Sequence, residues 1–407
     1  MFDLIIRDAT IVSSTGRQVA DVAVRDGRIA YVGPRPPRPG REEISAIGKF
    51  LMPGVIDSAV QFDPNGDPRI WERESRAAVS GGVTTVLSLP HGEHPVVDLQ
   101  SARHRFDRAS RASWCDFGLW AAATPTNQEE LIEAHASGLI TGVLAYLVPA
   151  GEQRGGRFGI TLDDIPRWLE APGVLGVQID DRLGPEAIST LETLRRAEHA
   201  IHLVHLSTAA ELNLLDPVRG DLPLTTGVTP HHLFLSSDDD AIHVQTCPPV
   251  RPEHDRRTLW TAMKRGRLDC IASDHHPAPA GSADGVPGSE LLFPLMLSAV
   301  KYGRLSLELL VSLCSESPAR IFGLEQKGRI AQGADADLIL FSEGEITRVG
   351  EDDLVSGAGW SPYVDREAAP KPDHVFVGGQ LVAQNGQLIE GSPTGRHIRA
   401  GKPTRAA

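Results

Sequence analysis

Residues 116–148 read DFGLWAAATPTNQEELIEAHASGLITGVLAYLV. Two apolar runs, DFGLWAA and GVLAYLV, flank the polar-faced segment QEELIEAHASG. The runs do not alternate. They are apolar almost throughout, as strands buried on both faces are. The segment between them has helical spacing, with Glu129 and Glu130 in its first turn, where carboxylates meet the positive end of the helix dipole. Strand, helix, strand implies parallel strands joined by a crossover. The unit recurs in both directions. Upstream lie LMPGVIDSAV from residue 51 and TTVLSLP from 84; downstream lie VLGVQID from 174, HLVHLS from 202, LTTGVTP from 224 and CIASDH from 270. PEAISTLETLRRAEHA and HDRRTLWTAMKRG supply further helices. Eight strands with crossovers in roughly 270 residues predict a (β/α)8 TIM barrel. An open doubly wound sheet is the alternative, but no Gly-rich phosphate loop follows the first strand.

The ends differ from this middle. DLIIRDATIV and VADVAVRDGRIAYVG roughly alternate, with Asp26-Gly27 as a hairpin turn. KGRIAQGADADLILFS and HVFVGGQLVAQNGQLIE, with Asn385-Gly386, look alike. Residues 1–50 and 325–390 are therefore expected to form one composite β-sandwich beside a barrel spanning 51–324. From Gly391 the chain is polar, basic and Gly/Pro-bearing, so 391–407 reads as a mobile tail and a contact arm in an oligomer. Asp238-Asp239-Asp240 reads as a solvated turn.

Lys and Arg number 40 against 53 Asp and Glu, a net charge of −13. That balance argues against a nucleic-acid partner. No apolar run of about 18 residues exists, so no membrane span is expected. The four cysteines, Cys115, Cys247, Cys270 and Cys314, are far apart and read as free thiols in a reducing cytoplasm.

In a barrel the loops after the strands share one face, and that face holds the site. It would gather Ala59, Gln61 and Asp63 after strand one, and His91 and His94 after strand two. Leu144 comes from strand four, Gln178 and Asp180 from strand five, and His205 from strand six. His231 and His232 follow strand seven; Asp274, His275 and His276 follow strand eight. So many histidines at one end invite a metal-site reading. The plainer alternative is that each caps backbone groups or faces water.

FLMPGVID, SGGVTTVLSLP, HLVHLST, TPHHLFLS, CPPVRPEHDRRTLW, DCIASDHHP, GVPGSELLFPLML and SPARIFGLEQKGRIAQGADADLILF occur in that order. The ordered set resembles the amidohydrolase superfamily, within its dihydroorotase, hydantoinase and allantoinase branch. The resemblance implies a metal-dependent barrel that hydrolyses or closes a cyclic amide. It also implies a His-x-His pair after strand one, a bridging lysine on strand four, histidines on strands five and six, and an aspartate on strand eight.

This chain departs from that set. Ala59 and Gln61 stand in the His-x-His frame, Leu144 in place of the lysine, and Gln178 in place of the strand-five histidine. His205 remains, as does Asp274, the family's proton acceptor and a vestigial ligand or general base here. Substrate contacts change too. Asp63 replaces an arginine and would repel a substrate carboxylate, His91 and Cys247 replace asparagines, and Ala278 replaces a histidine.

Zinc catalysis needs about three protein ligands and an open position. Alanine and leucine offer no lone pairs, and a glutamine carbonyl is a poor zinc ligand beside imidazole. The expectation is therefore a catalytically inactive or strongly altered homologue with no cofactor, serving as a scaffold or partner subunit. Some bacterial members lacking metal ligands hold aspartate transcarbamoylase in a pyrimidine-pathway assembly, which supplies an analogy for the partner. Family members of this shape form homo-oligomers. The alternative is a cyclic-amide hydrolase with one zinc on His91, His205 and Asp274, and with Cys247, His232 or His275 as additions.

Overall fold

The computed structural model describes residues 1–147, 158–179, 200–215, 224–239, 244–281 and 285–401. Asp180, residues 185–199 of the helix read over 185–200, and Asp240 lie outside the described residues. All eight apolar runs of the middle are parallel strands: β6 (Val55–Val60), β7 (Val83–Ser88), β8 (Asp116–Ala122), β9 (Gly142–Leu147), β10 (Val174–Ile179), β11 (Ile201–Leu203), β12 (Leu224–Val228) and β13 (Cys270–Ile271). Every residue of β6, β7, β8 and β9 is buried, which explains why these strands do not alternate. Neighbours pair in sequence order, and a parallel bridge from Val60 to His275 brings the last strand back to the first. The architecture is thus a (β/α)8 barrel, not an open sheet.

Local chemistry starts the helices. In α1 (Pro68–Ser80), Asp67 caps the first turn and Pro68 takes the position where a missing N–H costs nothing. In α2 (Leu99–Ala112), Asp98 and Ser101 cap each other's backbone. The segment QEELIEAHASG forms α3 (Gln128–Ala136).

Both termini build one nine-stranded sheet. β1 (Phe2–Ser13) pairs with β2 (Gly16–Arg25), which pairs with β3 (Arg28–Gly33). On its other side, the first half of β1 pairs with β4 (Gly40–Ser45) and its second half with β5 (Phe50–Pro53). The break falls at Asp8, in the left-handed region at φ 54°, inside a register shift between Ile6 and Ala9. That bulge lets one strand serve two neighbours. β5 then pairs antiparallel with β14 (Leu338–Phe341), and β15 (His374–Val377), β16 (Gln380–Gln384) and β17 (Gln387–Leu388) follow.

Three sequence expectations shift. The N-terminal part of the β domain runs to Pro53, not residue 50. Val349, Tyr363 and Ala368 pack on the barrel residues Leu235, Leu291 and Leu295, so part of 325–390 belongs over the barrel. The tail expected to be mobile is docked as far as Gly401. Phe117 N donates to Arg396 O at 2.9 Å, Ile398 N to Phe117 O at 2.8 Å, and Gly401 N to Gly323 O at 2.8 Å. Among the described residues no helix is long and apolar enough to cross a membrane.

Candidate active site at the barrel mouth

The C-terminal strand ends bring together Ala59, Gln61, His91, Leu144, Gln178, His205 and Asp274, as barrel geometry requires. Their environments fall into two kinds. Ala59 and Leu144 are buried in one apolar cluster with Leu87, Leu89, Trp120, Ala122, Tyr146 and Phe158. Gly176 makes room for it: a Cβ there would lie 2.8 Å from Leu144 Cδ1 and 3.0 Å from the Trp120 ring. The remaining mouth residues are polar. Gln61 is half-buried, and its N–H donates to His275 O at 2.8 Å. Gln178 Nε2 donates to Cys247 O at 3.0 Å. Cys247 is exposed, and all four cysteines are free.

His205 and Asp274 face each other, with Nε2 3.5 Å from Oδ1. Both have left-handed backbones, φ 59° and φ 50°. For residues other than glycine such conformations cost about 1–3 kcal/mol each, and they persist only where surrounding structure imposes them. His91 goes elsewhere. Its Nδ1 lies 3.3 Å from the Tyr146 hydroxyl, and its ring centroid lies 4.9 Å from Tyr146 and 5.4 Å from Phe158. The mouth therefore offers a His–Asp pair able to hold a proton, two side-chain amides, and an aromatic trio.

Several residues expected in the pocket are committed to other tasks. Asp63 is buried in ion pairs with Arg105, at 3.1 Å, and Arg108, both on α2. It is neutralised there, which corrects the expectation of a carboxylate repelling substrate. Burial pulls the Arg105 guanidinium down to about 10 against the opposing pull of Asp63. Arg105 also donates to the carbonyls of Leu89, His91 and His94, at 2.7, 2.7 and 2.9 Å, fixing the loop that carries His91. His232 uses both ring nitrogens: Nδ1 meets the Thr229 hydroxyl at 2.7 Å and Nε2 meets Pro249 O at 3.1 Å. Burial lowers its pKa to about 3. His275 turns outward under α1. Its Nδ1 accepts from Gly288 N and Ser289 N, and its Nε2 lies 3.3 Å from the buried Glu74 carboxylate. Neither histidine is free to ligate at the mouth.

Sequence reasoning missed Arg105, Arg108, Tyr146 and Phe158. The spacing of Arg105 and Arg108 puts both on one helix face, but nothing in the sequence names Asp63 as their partner. Among the described residues, the only three His, Cys, Asp or Glu whose ligand atoms lie within 4.8 Å of one another are Asp116, Asp335 and Asp337. They surround Lys327 at the opposite end of the barrel. The mouth brings together His205 and Asp274 but does not add His91 to them.

The similarities to known proteins agree with this architecture. A model of the amidohydrolase family matches residues 50–382. An allantoinase of Rubrobacter xylanophilus is 31% identical, with 98% of each chain covered. A dihydroorotase of Methanothermobacter thermautotrophicus is 30% identical, again over 98% of each. The L-hydantoinase of Arthrobacter aurescens superposes with a TM-score of 0.90 at 26% identity, covering 98% of this chain and 100% of that one. With its barrel, its joined termini and this ordered similarity over nearly its whole length, the chain belongs to the amidohydrolase family.

Proposed function

We propose that this chain is a cyclic-amidohydrolase homologue that has lost the family's hydrolytic chemistry and acts as a scaffold or partner subunit. The observation that carries the reading is the filling of the metal positions. Ala59 and Leu144 are continuous with the apolar interior, with no lone pair to offer. His205 and Asp274 give two donors where about three are needed to hold a reactive zinc. Gln178 turns its amide nitrogen to Cys247 O, and His91 packs on Tyr146 and Phe158. The residues present do not fit the family's dinuclear centre, nor a single zinc on His91, His205 and Asp274. Without a metal to lower the pKa of water, the His–Asp pair is left with acid–base catalysis of about 10²–10⁴-fold, weak for opening an amide ring.

A homo-oligomer and an enzyme partner are part of the same proposal. Aspartate transcarbamoylase is the partner suggested by analogy with metal-free family members. The four free cysteines support a reducing, cytoplasmic setting.

The test is metal analysis of the purified protein together with ring-opening assays on dihydroorotate, hydantoin, dihydrouracil and allantoin. The expected result is zinc well below one per chain and turnover at background, unchanged in a His205→Ala, Asp274→Ala double variant. Stoichiometric zinc with ring opening that vanishes in the double variant overturns the reading.

A further inference from the structure

The docked C-terminal segment crosses the floor of the barrel, at the N-terminal strand ends. Its backbone forms a short parallel ladder with β8, through the bridge from Phe117 to His397. Side chains add to it. Thr394 Oγ1 donates to Trp114 O at 2.9 Å. The His397 ring stands edge-on to Phe106 and Phe117, with centroids at 5.1 and 5.3 Å, and its Nε2 donates to Leu139 O at 3.1 Å. Ile398 packs against the barrel-interior cluster that includes Trp120 and Phe322. The approach is close: a Cβ on Gly395 would lie 2.0 Å from Cys115 O, so only glycine fits.

Beside this ladder lies a buried cluster of charge contributed by both domains. Asp116 opens β8, while Asp335 and Asp337 lie just before the small-domain strand β14, and all three contact Lys327. Burial alone would lower the Lys327 ammonium's pKa; the charges of Asp337, Asp116 and Asp335 outweigh it and raise it. One lysine cannot balance three carboxylates. Arg396 supplies a second cation: its guanidinium lies 3.5 Å from Asp116 and 3.6 Å from Asp335, while its backbone N–H donates separately to Asp116 Oδ1 at 2.7 Å. Arg28, 3.8 Å from Asp335, supplies the third. Arg396 thus touches a carboxylate of each domain. Its side chain is 53% exposed beside a cavity of about 420 Å³ between the tail and residues 323–327, so salt can reach it.

We propose that residues 394–401 are a releasable strap that locks the small domain to the barrel floor, with Arg396 as the key that completes the charge balance between the two domains. Releasing the strap uncovers Phe117 and the Lys327 cluster while the barrel stays folded. This role is independent of whether the mouth catalyses anything.

Hydrogen exchange on the full chain tests it, comparing the wild type with Arg396→Ala and Arg396→Lys at low and high salt. In the wild type, peptides spanning 113–119 and 394–401 are protected, and salt weakens that protection. In Arg396→Ala both exchange at least about tenfold faster, β7 and β9 are unchanged, and Arg396→Lys restores part of the protection. Unchanged exchange at both peptides in Arg396→Ala overturns the proposal, as does a loss of protection spread evenly over the chain. A chain ending at Ser392 gives a second reading. The synthetic 391–407 peptide added in trans should restore protection at 113–119, and failure to do so in a folded truncated chain overturns the proposal as well.

Discussion

The two ends of this barrel are built from different side chains. At the mouth, where relatives of this family would place their polar machinery, Ala59 and Leu144 extend the apolar interior and the fully buried histidines His231 and His232 are held neutral by burial. At the floor, where a barrel needs only stability, three charged groups, Lys327, Asp116 and Asp337, are buried together, with the half-buried Asp335 beside them. At the floor the charge joins two domains, Asp116 coming from the barrel and Asp335 and Asp337 from the chain that leads into β14.

The sharpest way to break that comparison is Lys327→Met. It strands three carboxylates, and removing one partner from a buried charge network costs about 3–5 kcal/mol. Urea unfolding should show a loss near 4 kcal/mol (about the middle of that range); a loss below that of any mouth substitution would mean the floor is not the anchor. Leu144→Ala comes next. It opens a cavity in an interior that Gly176 and Trp120 already fill, with an expected cost of about 3 kcal/mol by the same measurement. A neutral outcome would mean the mouth is loosely packed and its apolar filling incidental.

The third concerns pH. Burial depresses His202 and His232 to about 3, from an ordinary value of 6.5. Both are therefore neutral in the folded protein but protonate below 6.5 once unfolded. The unfolded chain takes up more protons, so stability is full above 6.5 and is lost as pH falls toward 3. Each contributes at most about 1.4 kcal/mol per pH unit in that window. Unfolding free energies at pH 7.0 and 5.5 should show the drop, and His232→Gln should reduce it. The smallest effect is Gln178→Ala, which loses one hydrogen bond to Cys247 O, about 1 kcal/mol.

The barrel was legible because burial on both faces leaves a trace in sequence: DFGLWAA and GVLAYLV contain almost nothing polar, and both are strands. The composition of the mouth was legible by position, since a strand-end residue must face that side. What the side chains do there was not. Asp63 looks like a free carboxylate until Arg105 and Arg108 are folded against it, and His275 looks like a ligand until Glu74 approaches its ring. The tail was misread for the same reason. Its polar, basic composition is that of a mobile end, but Arg396 finds Asp116 across 280 residues of chain, and no local pattern encodes that.

The single sheet built from both termini also governs how the chain is made. β5 lies between β1 and β14, and Pro53 pairs with Leu338, 285 residues further on. At translation speeds of about 5–20 residues per second, the edge of β5 waits on the order of 15–60 s for its partner to leave the ribosome. For that interval an apolar strand edge stands open on the nascent chain, a natural place for a chaperone to hold on and for two unfinished copies to stick together.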